Sequence, residues 1–413
     1  MTIQTIKANT KKLLKMAASE LADEIKFFSE CEKLEDSAFK ADATGHSPGD
    51  TVSVRIPTEW TVQEDDFDIT STMQDAKERT VNAVLDKSAT VPFDLTSAEL
   101  AHDIEETKVY ERLVQPAVLN IASNIENRFL EYATQYTGNC VGTAGSTVVD
   151  PDTVMEGGEL MDEMLAPMSM RSFIMDSGAM RSAVNANKGL FTFKRKEYDE
   201  AFIGNALGFD WFKSQLTYRH TNGNDVTGVA TEASVVTPAE GMTTLGVDGL
   251  TASTGTVTKG SVFTIAGVYS VHPKTKVSTG RLKQFSHVGD TQTANASGQV
   301  TLTLNEPIYS SASGSLQNVS ALPVDETGTL TFVGAASTTY KHSLMFHKKA
   351  FRVCSVPLVM PTNAEIAEQV TEQGITIALI RDFDVKTRKM ITRLDFLGTI
   401  LAVRPSHACR VTN

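Results

Sequence analysis

Residues 49–60 read GDTVSVRIPTEW. Val52, Val54 and Ile56 fall on one side of an extended chain, and Thr51, Ser53 and Arg55 on the other, the period-two alternation of a strand. From Glu59 to Thr80 the chain reads EWTVQEDDFDITSTMQDAKERT, polar almost throughout. A second strand-like run, TVNAVLDKSATVPF, follows at 80–93. A strand pair with so long a polar outer end and so little to bury needs something to lean on.

Residues 95–136 carry the clearest helical signal. Thr96 and Glu99 have capping-box spacing, and Leu100 and Ile104 begin an apolar stripe. Pro116 interrupts it and is predicted to start a new helix, because its missing N–H costs least in a first turn. Beyond it Ile121, Ile125, Phe129 and Ala133 recur every four residues. Roughly twenty residues at about 1.5 Å each make a rod of roughly 30 Å. Residues 10–30, TKKLLKMAASELADEIKFFSE, predict a second amphipathic helix with Leu14, Ala17, Ala18, Leu21, Ile25 and Phe28 on one side. Glu20, Asp23 and Glu24 flank it, and either face solvent or form a docking face for a basic partner. Between 140 and 221 the pattern is mixed. GNCVGTAGSTVVDPD at 138–152 reads as a loop, and GGELMDEMLAP at 157–167 as a helix with Leu160, Met161, Met164 and Leu165 near one side. The methionines at 161, 164, 168, 170, 175 and 180 are read as core filling rather than a soft binding surface.

The composition then changes. Between Met242 and Met345 there is no Met, Trp or Cys, and Thr, Ser, Gly and Val dominate. Strand candidates such as SVFTIAGVYSV at 261–271 and GQVTLTLNEP at 298–307 are separated by Gly, Pro and Asn turns. This is the pattern of a small β-barrel or sandwich. Helical signals stop before it and a mixed pattern resumes after it, which indicates a β-domain inserted into a host domain. The last seventy residues return to strands, GITIALIRDFD and MITRLDFLGTILAVRP, around a polar turn, and read as sheet completing the domain opened before the insertion.

Composition sets limits on function. The 413 residues are 41% hydrophobic and 21% charged, as in globular chains with a real core. The formal charge of −12 argues against a nucleic-acid reader built on phosphate neutralisation, but does not exclude a container whose wall repels a packed polyanion. No run of 18 apolar residues predicts a membrane span. Lys7, Lys11, Lys12 and Lys15 precede no apolar core of a secretory signal. Cys31, Cys140, Cys354 and Cys409 are scattered without a C-x-x-C and read as reduced, mostly buried thiols.

The search for chemistry finds no phosphate-binding loop (VTKGS at 257–261 has its Lys before the Gly), no nucleophile elbow and no metalloprotease motif. His342 and His347 are five apart, wrong for one helical face, and read as packed histidines, not metal ligands. Asp65, Asp66 and Asp68, and the pair Asp382 and Asp384, read as solvated charge or intersubunit pairing rather than catalytic carboxylates. The sequons at Asn295 and Asn318 read as chance matches. No catalytic residue, metal site or cofactor is expected. Extended elements without an active site suit a structural protein.

Over nearly its whole length the chain resembles the major coat proteins of P22-like tailed bacteriophages. The resemblance is carried in order by GDTVSVRIP, FDLTSAELAHDIEETKVYERLVQPAVLNIASNIENRFL, KGSVFTIAGVYSVHPKTKVSTGRLKQF, LMFHKKAFRV and RLDFLGTILAVRPSHA. It implies an α+β chain of the HK97-like capsid fold with an inserted all-β, barrel-like domain. The implied divisions are an N-terminal arm helix at 1–36, an E-loop hairpin at 37–94, and a peripheral domain with its spine helix at 95–139. The axial domain follows at 140–221, the inserted β-domain at 222–343, and the axial and peripheral domains are completed by 344–413.

The function implied is self-assembly, with a scaffolding protein, into pentamers and hexamers of an icosahedral shell. That shell would carry a portal protein and enclose double-stranded DNA without sequence-specific binding. Assembly is expected in the bacterial host cytoplasm and the final location in the virion capsid, with no membrane partner. The E-loop is expected to contact the next subunit through Arg55, Trp60, Val62 and Phe67, and Glu20, Asp23 and Glu24 to dock the scaffold. An encapsulin-like compartment shell is the alternative container. A surface adhesin built on residues 222–343 is a third reading, weakened by the missing export signal and the long helix.

Overall fold

The computed structural model describes residues 14–16, 19, 25–34, 48–56, 60, 79–96, 115–146, 149–187, 204–386 and 389–413. The described residues fall into two compact units. One draws on Met1–Val54, Thr80–Leu130 and Phe351–Leu401, the other on Arg55–Arg79, Glu131–Ala350 and Ala402–Asn413.

The first unit holds a six-stranded sheet. Its order runs Glu32–Lys33, Phe351–Ser355, Lys389–Ala402, Ile375–Asp384, Ile366–Glu372, with Lys87–Thr96 also paired to Lys389–Ala402. That last pairing is antiparallel and unbroken from Lys389 opposite Thr96 to Gly398 opposite Lys87. Gly398 is required by close approach: a Cβ there would sit 2.7 Å from the Cys354 carbonyl oxygen. Ile375, Ile377 and Leu379 are buried, and so are Thr376 and Ala378 between them, so this end of the strand is covered on both faces. The long helix runs Gln115–Tyr136, with Pro116 in its first turn as expected, and contributes residues up to 130 to this unit. Ile121, Ile125, Phe129 and Ala133 are all buried.

Three expectations for this region need correction. The 10–30 helix is interrupted: Ile25 has φ −86° and ψ 85°, and a short helix, Lys26–Glu30, begins after it. The run at 80–93 is two strands. Arg79–Val84 pairs with Thr51–Ile56 in a two-stranded sheet, whereas Lys87–Thr96 joins the six-stranded sheet, with Leu85 and Asp86 between them. Thr96 therefore ends a strand. The final strands complete two sheets rather than one: Ile375–Asp384 and Lys389–Ala402 join the sheet that Lys87–Thr96 opens before the insertion, whereas Ala408–Thr412 joins the sheet of the second unit.

The second unit holds a seven-stranded mixed sheet. Its order is Cys140–Val141, Ala408–Thr412, Thr339–His347, Arg171–Met175, Phe209–Lys213, Asn205–Ala206, with Arg219–Thr221 on the start of Thr339–His347. Arg171–Met175 and Phe209–Lys213 are parallel, and the helix Ser177–Asn187 lies between them in sequence, as a parallel crossover needs. A helix at Pro151–Glu163 packs Val154 and Met161 into the same core as Phe173, Met345 and Trp211.

This Pro151–Glu163 helix differs at both ends from the sequence reading. It starts six residues early, because Asp150 accepts from the Thr153 N–H at 2.9 Å and Pro151 occupies the first turn. It stops at Glu163 because Leu165 turns left-handed at φ 59°, with Ala166 N–H donating to the Met161 carbonyl and Leu165 N–H to that of Asp162. The methionine reading holds for Met161, Met175 and Met180, which are buried, but not for Met168 and Met170, which are 78% and 64% exposed.

The β-rich segment closes on itself. Ala230–Thr231 pairs with Met242–Asp248, which pairs with Val300–Ile308. Ser278–Ser286 pairs with Val262–Val271, which pairs with Leu330–Phe332. Two isolated bridges join these sheets, His287 with Leu304 and Ala230 with Thr329. The circuit is an antiparallel barrel without a free edge. The alternation in Val300–Leu304 puts valine and leucine inside and threonines outward. The filling is dense: Phe263, Phe285 and Phe332 meet at ring separations of 6.3 and 5.4 Å.

Candidate assembly site

The hairpin expected to reach a neighbour is rooted by backbone bonds. Gly49 N–H donates to the Leu85 carbonyl at 2.9 Å and Leu85 N–H to that of Asp50 at 3.0 Å. Gly49 sits at φ +99°, a conformation suited to glycine. Thr399 Oγ1 donates to the Val84 carbonyl at 2.6 Å. Val54, Ile56, Ala83 and Leu85 are buried, so the root of the hairpin buries more than its sequence suggested. Arg55 points outward between Val54 and Ile56, and Trp60 is 51% exposed. Val62, Phe67, Glu20, Asp23 and Glu24 lie outside the described residues, as do Asp65, Asp66 and Asp68.

Two buried charged residues, one in each unit, escaped sequence reasoning. Glu126, on the long helix, is 3% exposed, and both its oxygens lie 3.2 Å from the Phe27 N–H. It takes up an orphan donor of the Lys26–Glu30 helix, which is why helix restarts there. Burial raises its carboxyl to about 8, against small opposing effects from the Phe27 N–H and Lys26. Around it Phe28 stacks on Phe129 and Phe27 meets Phe351. The available signal was an acid in the line Val118, Ala122, Glu126, Leu130, otherwise wholly apolar and wholly buried.

Arg410 is fully buried and has no carboxylate among its hydrogen-bond partners. Nε donates to the Thr137 carbonyl at 2.7 Å and Nη2 to that of Gln135 at 2.9 Å, at the buried C-terminal end of the long helix. Nη1 donates to the Gly260 carbonyl and Nη2 also to Ser286 Oγ, both at 2.7 Å. A cation at a helix C-terminus is favoured by the dipole as well as by these bonds. Burial lowers its pKa to about 10, so it keeps its charge at neutral pH. No partner in the sequence marks Arg410, because everything it binds is main chain or serine.

The other candidates resolve as packing. His342 and His347 lie on one strand at odd spacing, and so on opposite faces. His342 packs beside Tyr218 and His220, and His347 against His407. Burial holds His220 and His407 down to about 4, hence neutral. Asp382 and Asp384 bond the local N–H groups of Phe383 and Lys386 at a strand end. All four cysteines are buried.

No curated protein sequence matches the chain. Distant likenesses exist among solved capsids. That of Ralstonia phage GP4 is 8% identical, covering 93% of this chain and 87% of its own at a TM-score of 0.45. That of cyanophage P-SCSP1u is 11% identical, covering 92% and 90% at 0.44. That of Mycobacterium phage Che8 is 9% identical, covering 92% and 96% at 0.42. The decisive match is to the family described as P22 coat protein, gene protein 5, over residues 24–410. It favours a phage coat over an encapsulin-like compartment. The chain therefore belongs to the P22 coat protein family, and is a major capsid protein that forms the shell of the particle.

Proposed function

We propose that copies of this chain assemble as pentamers and hexamers into an icosahedral shell around a double-stranded DNA genome. A scaffolding protein guides assembly in the bacterial host cytoplasm and a portal protein occupies one opening. The role is structural, with no reaction assigned. The observation that carries this reading is the coat-family match over residues 24–410, and the rooted hairpin with its exposed Trp60 supports it. In this reading Arg55, Trp60, Val62 and Phe67 bury against the adjacent copy. Specific interfaces bury about 1,200–2,000 Å², and a shell repeats modest contacts many times, so each remains reversible until closure. The net charge of −12 makes the wall repel DNA on balance, which is compatible with a container that does not bind its contents. Division into arm, hairpin, peripheral, axial and inserted domains is part of the same proposal.

Electron microscopy of the purified protein, alone and with scaffold, is the test: uniform closed shells are expected, and persistent monomers under every condition contradict it. Glu20, Asp23 and Glu24 are assigned to receive a basic scaffold segment. Reversing these charges reduces scaffold retention in a salt-dependent way if that is right, and leaves it unchanged if not.

A further inference from the structure

Where the barrel meets the seven-stranded sheet, the contact is polar. Alternation brings His220, His342, and Arg410 with Thr412, from three neighbouring strands, to one side of that sheet. The barrel answers with backbone and hydroxyl groups. The Gly260 carbonyl and Ser286 Oγ accept from Arg410, and Ser261 Oγ lies 3.3 Å from His220 Nε2. Gln284 bonds the Cys140 main chain through both ends of its amide.

His220 and His342 are both buried, their ring centres 5.9 Å apart, and Tyr218 stacks on His342 at 6.3 Å. The charges bearing on the rings are Arg410 and, for His342, His220. The other titratable groups beside them are neutral. They are Tyr218, Tyr340 opposite His220 with its hydroxyl tied to Ala335, and Cys140, reached through Thr412. Glu131 is one step removed: Gln135 Nε2 bonds its carboxylate at 3.0 Å and the Tyr218 hydroxyl at 3.2 Å. Lys341 belongs to the opposite face, where it pairs with Asp176.

The hydrogen bonds suit neutral rings. Asn222 Nδ2 donates to the Val333 and Ala335 carbonyls, so its Oδ1 is turned to accept from His220 Nε2–H at 3.0 Å. His220 Nδ1 is left without a proton, facing the Tyr218 hydroxyl. On His342, Nδ1 meets Thr412 Oγ1 at 3.2 Å, and Nε2 has no partner among the described residues. A charged His342 must carry a proton on Nε2, where no acceptor waits. A charged His220 must point a second N–H at a hydroxyl that already accepts from Gln135. Either change adds a cation beside Arg410 in a dry junction.

We propose that this junction is an acid-released hinge: proton uptake by His220 and His342 beside Arg410 detaches the barrel from the sheet face while the barrel itself stays closed. Detachment hydrates the rings and the guanidinium together, and the barrel retains its own circuit and core. Burial, and then the Arg410 charge, hold His220 at about 4 against 6.5 ordinarily, and push His342 the same way. The open form therefore binds more protons, and opening gains as pH falls from about 6.5, by up to about tenfold per ring per pH unit. Two other contacts respond to acid. Burial also lowers the pKa of His287, inside the barrel, and Arg281 of the barrel pairs with Glu159 and Glu163 at the surface. The test separates both from the hinge.

Cys140 reports opening in the unassembled full-length chain, because its thiol is buried against Thr412 in the junction. Its labelling by 4,4′-dithiodipyridine is measured relative to the urea-unfolded chain at each pH and located by mass spectrometry of peptides. Labelling should quicken at least about tenfold from pH 7 to pH 5. Over the same range the amides of residues 262–265 in the barrel should keep their protection from hydrogen exchange, and Cys354, in the first unit, its labelling rate. Combining His220→Gln with His342→Asn places neutral amides near the positions of His220 Nε2 and His342 Nδ1, and should remove the acceleration. The hinge is overturned by Cys140 labelling that does not rise, that rises equally in the folded double variant, or that rises together with loss of protection at 262–265. Should the double variant not fold, histidine-selective ¹³C NMR of the unaltered chain decides. Both rings must take up protons over the pH range in which Cys140 opens, and rings still neutral there contradict the proposal. No arm uses assembly, so failure here is distinct from failure of the shell reading.

Discussion

The barrel and the hairpin are both built from antiparallel strands, yet they solve the edge problem in opposite ways. The barrel runs its strands into a closed circuit through the bridges at His287–Leu304 and Ala230–Thr329 and fills itself with Phe263, Phe285 and Phe332. Among the described residues the hairpin has two strands, Thr51–Ile56 and Arg79–Val84, with Trp60 half in water. Two strands alone are marginal, and three or more, or a packed face, are needed for independent stability. The barrel's stability is therefore internal, while in the proposed shell the outer hairpin borrows its own from a neighbour.

The sharpest way to break the comparison is through the barrel core. Phe263→Ala should cost about 3–5 kcal/mol of monomer stability, read as a lower urea midpoint, because a fully buried ring leaves a cavity its neighbours fill only in part. A loss below about 1 kcal/mol would mean that the barrel core does not carry its own stability.

The next effect is a pH dependence at the N-terminal segment. The Glu126 carboxyl titrates at about 8 in the folded chain against 4.5 ordinarily, so the folded state holds its proton more tightly. Its contribution is full below about 4.5, declines by up to about 1 kcal/mol per pH unit as pH rises toward 8, and is flat above. Glu126→Gln, which keeps an acceptor for the Phe27 N–H, should remove that slope. Urea midpoints of both proteins between pH 5 and pH 9 check this, and parallel curves would show that Glu126 is not the titrating group.

The smallest expected effect on the isolated chain is the most informative for the hairpin. Trp60→Ala should change monomer stability by no more than about 0.5 kcal/mol and weaken assembled shells by about 2 kcal/mol per contact. A monomer that unfolds on this change would place Trp60 in the chain's own core.

Much of this contrast was legible in the sequence where local chemistry decides. The four-residue stripe after Pro116 marked the long helix, and the switch to Thr, Ser, Gly and Val marked the barrel. What escaped was decided by distant partners. Nothing local breaks a helix at Ile25; Glu126, about a hundred residues away, caps the chain there. The run at 80–93 looks uniform, yet Leu85 bonds back to Gly49 and Asp50 and sends the two halves to different sheets. Arg410 carries no nearby counter-ion to betray it. The Pro151–Glu163 helix differs in kind, since Asp150 and Pro151 form a local start signal inside a Gly-, Ser- and Thr-rich stretch whose composition suggests a loop.

The central claim is that neighbouring copies complete this chain, and its two tryptophans report on it directly. Trp211 is 1% exposed and Trp60 51% exposed, so a neutral quencher such as acrylamide should reach Trp60 far more readily in the unassembled protein. Assembly into shells should shield Trp60 and remove most of the quenchable fluorescence. Shells in which Trp60 is quenched as readily as in the free chain would contradict the account.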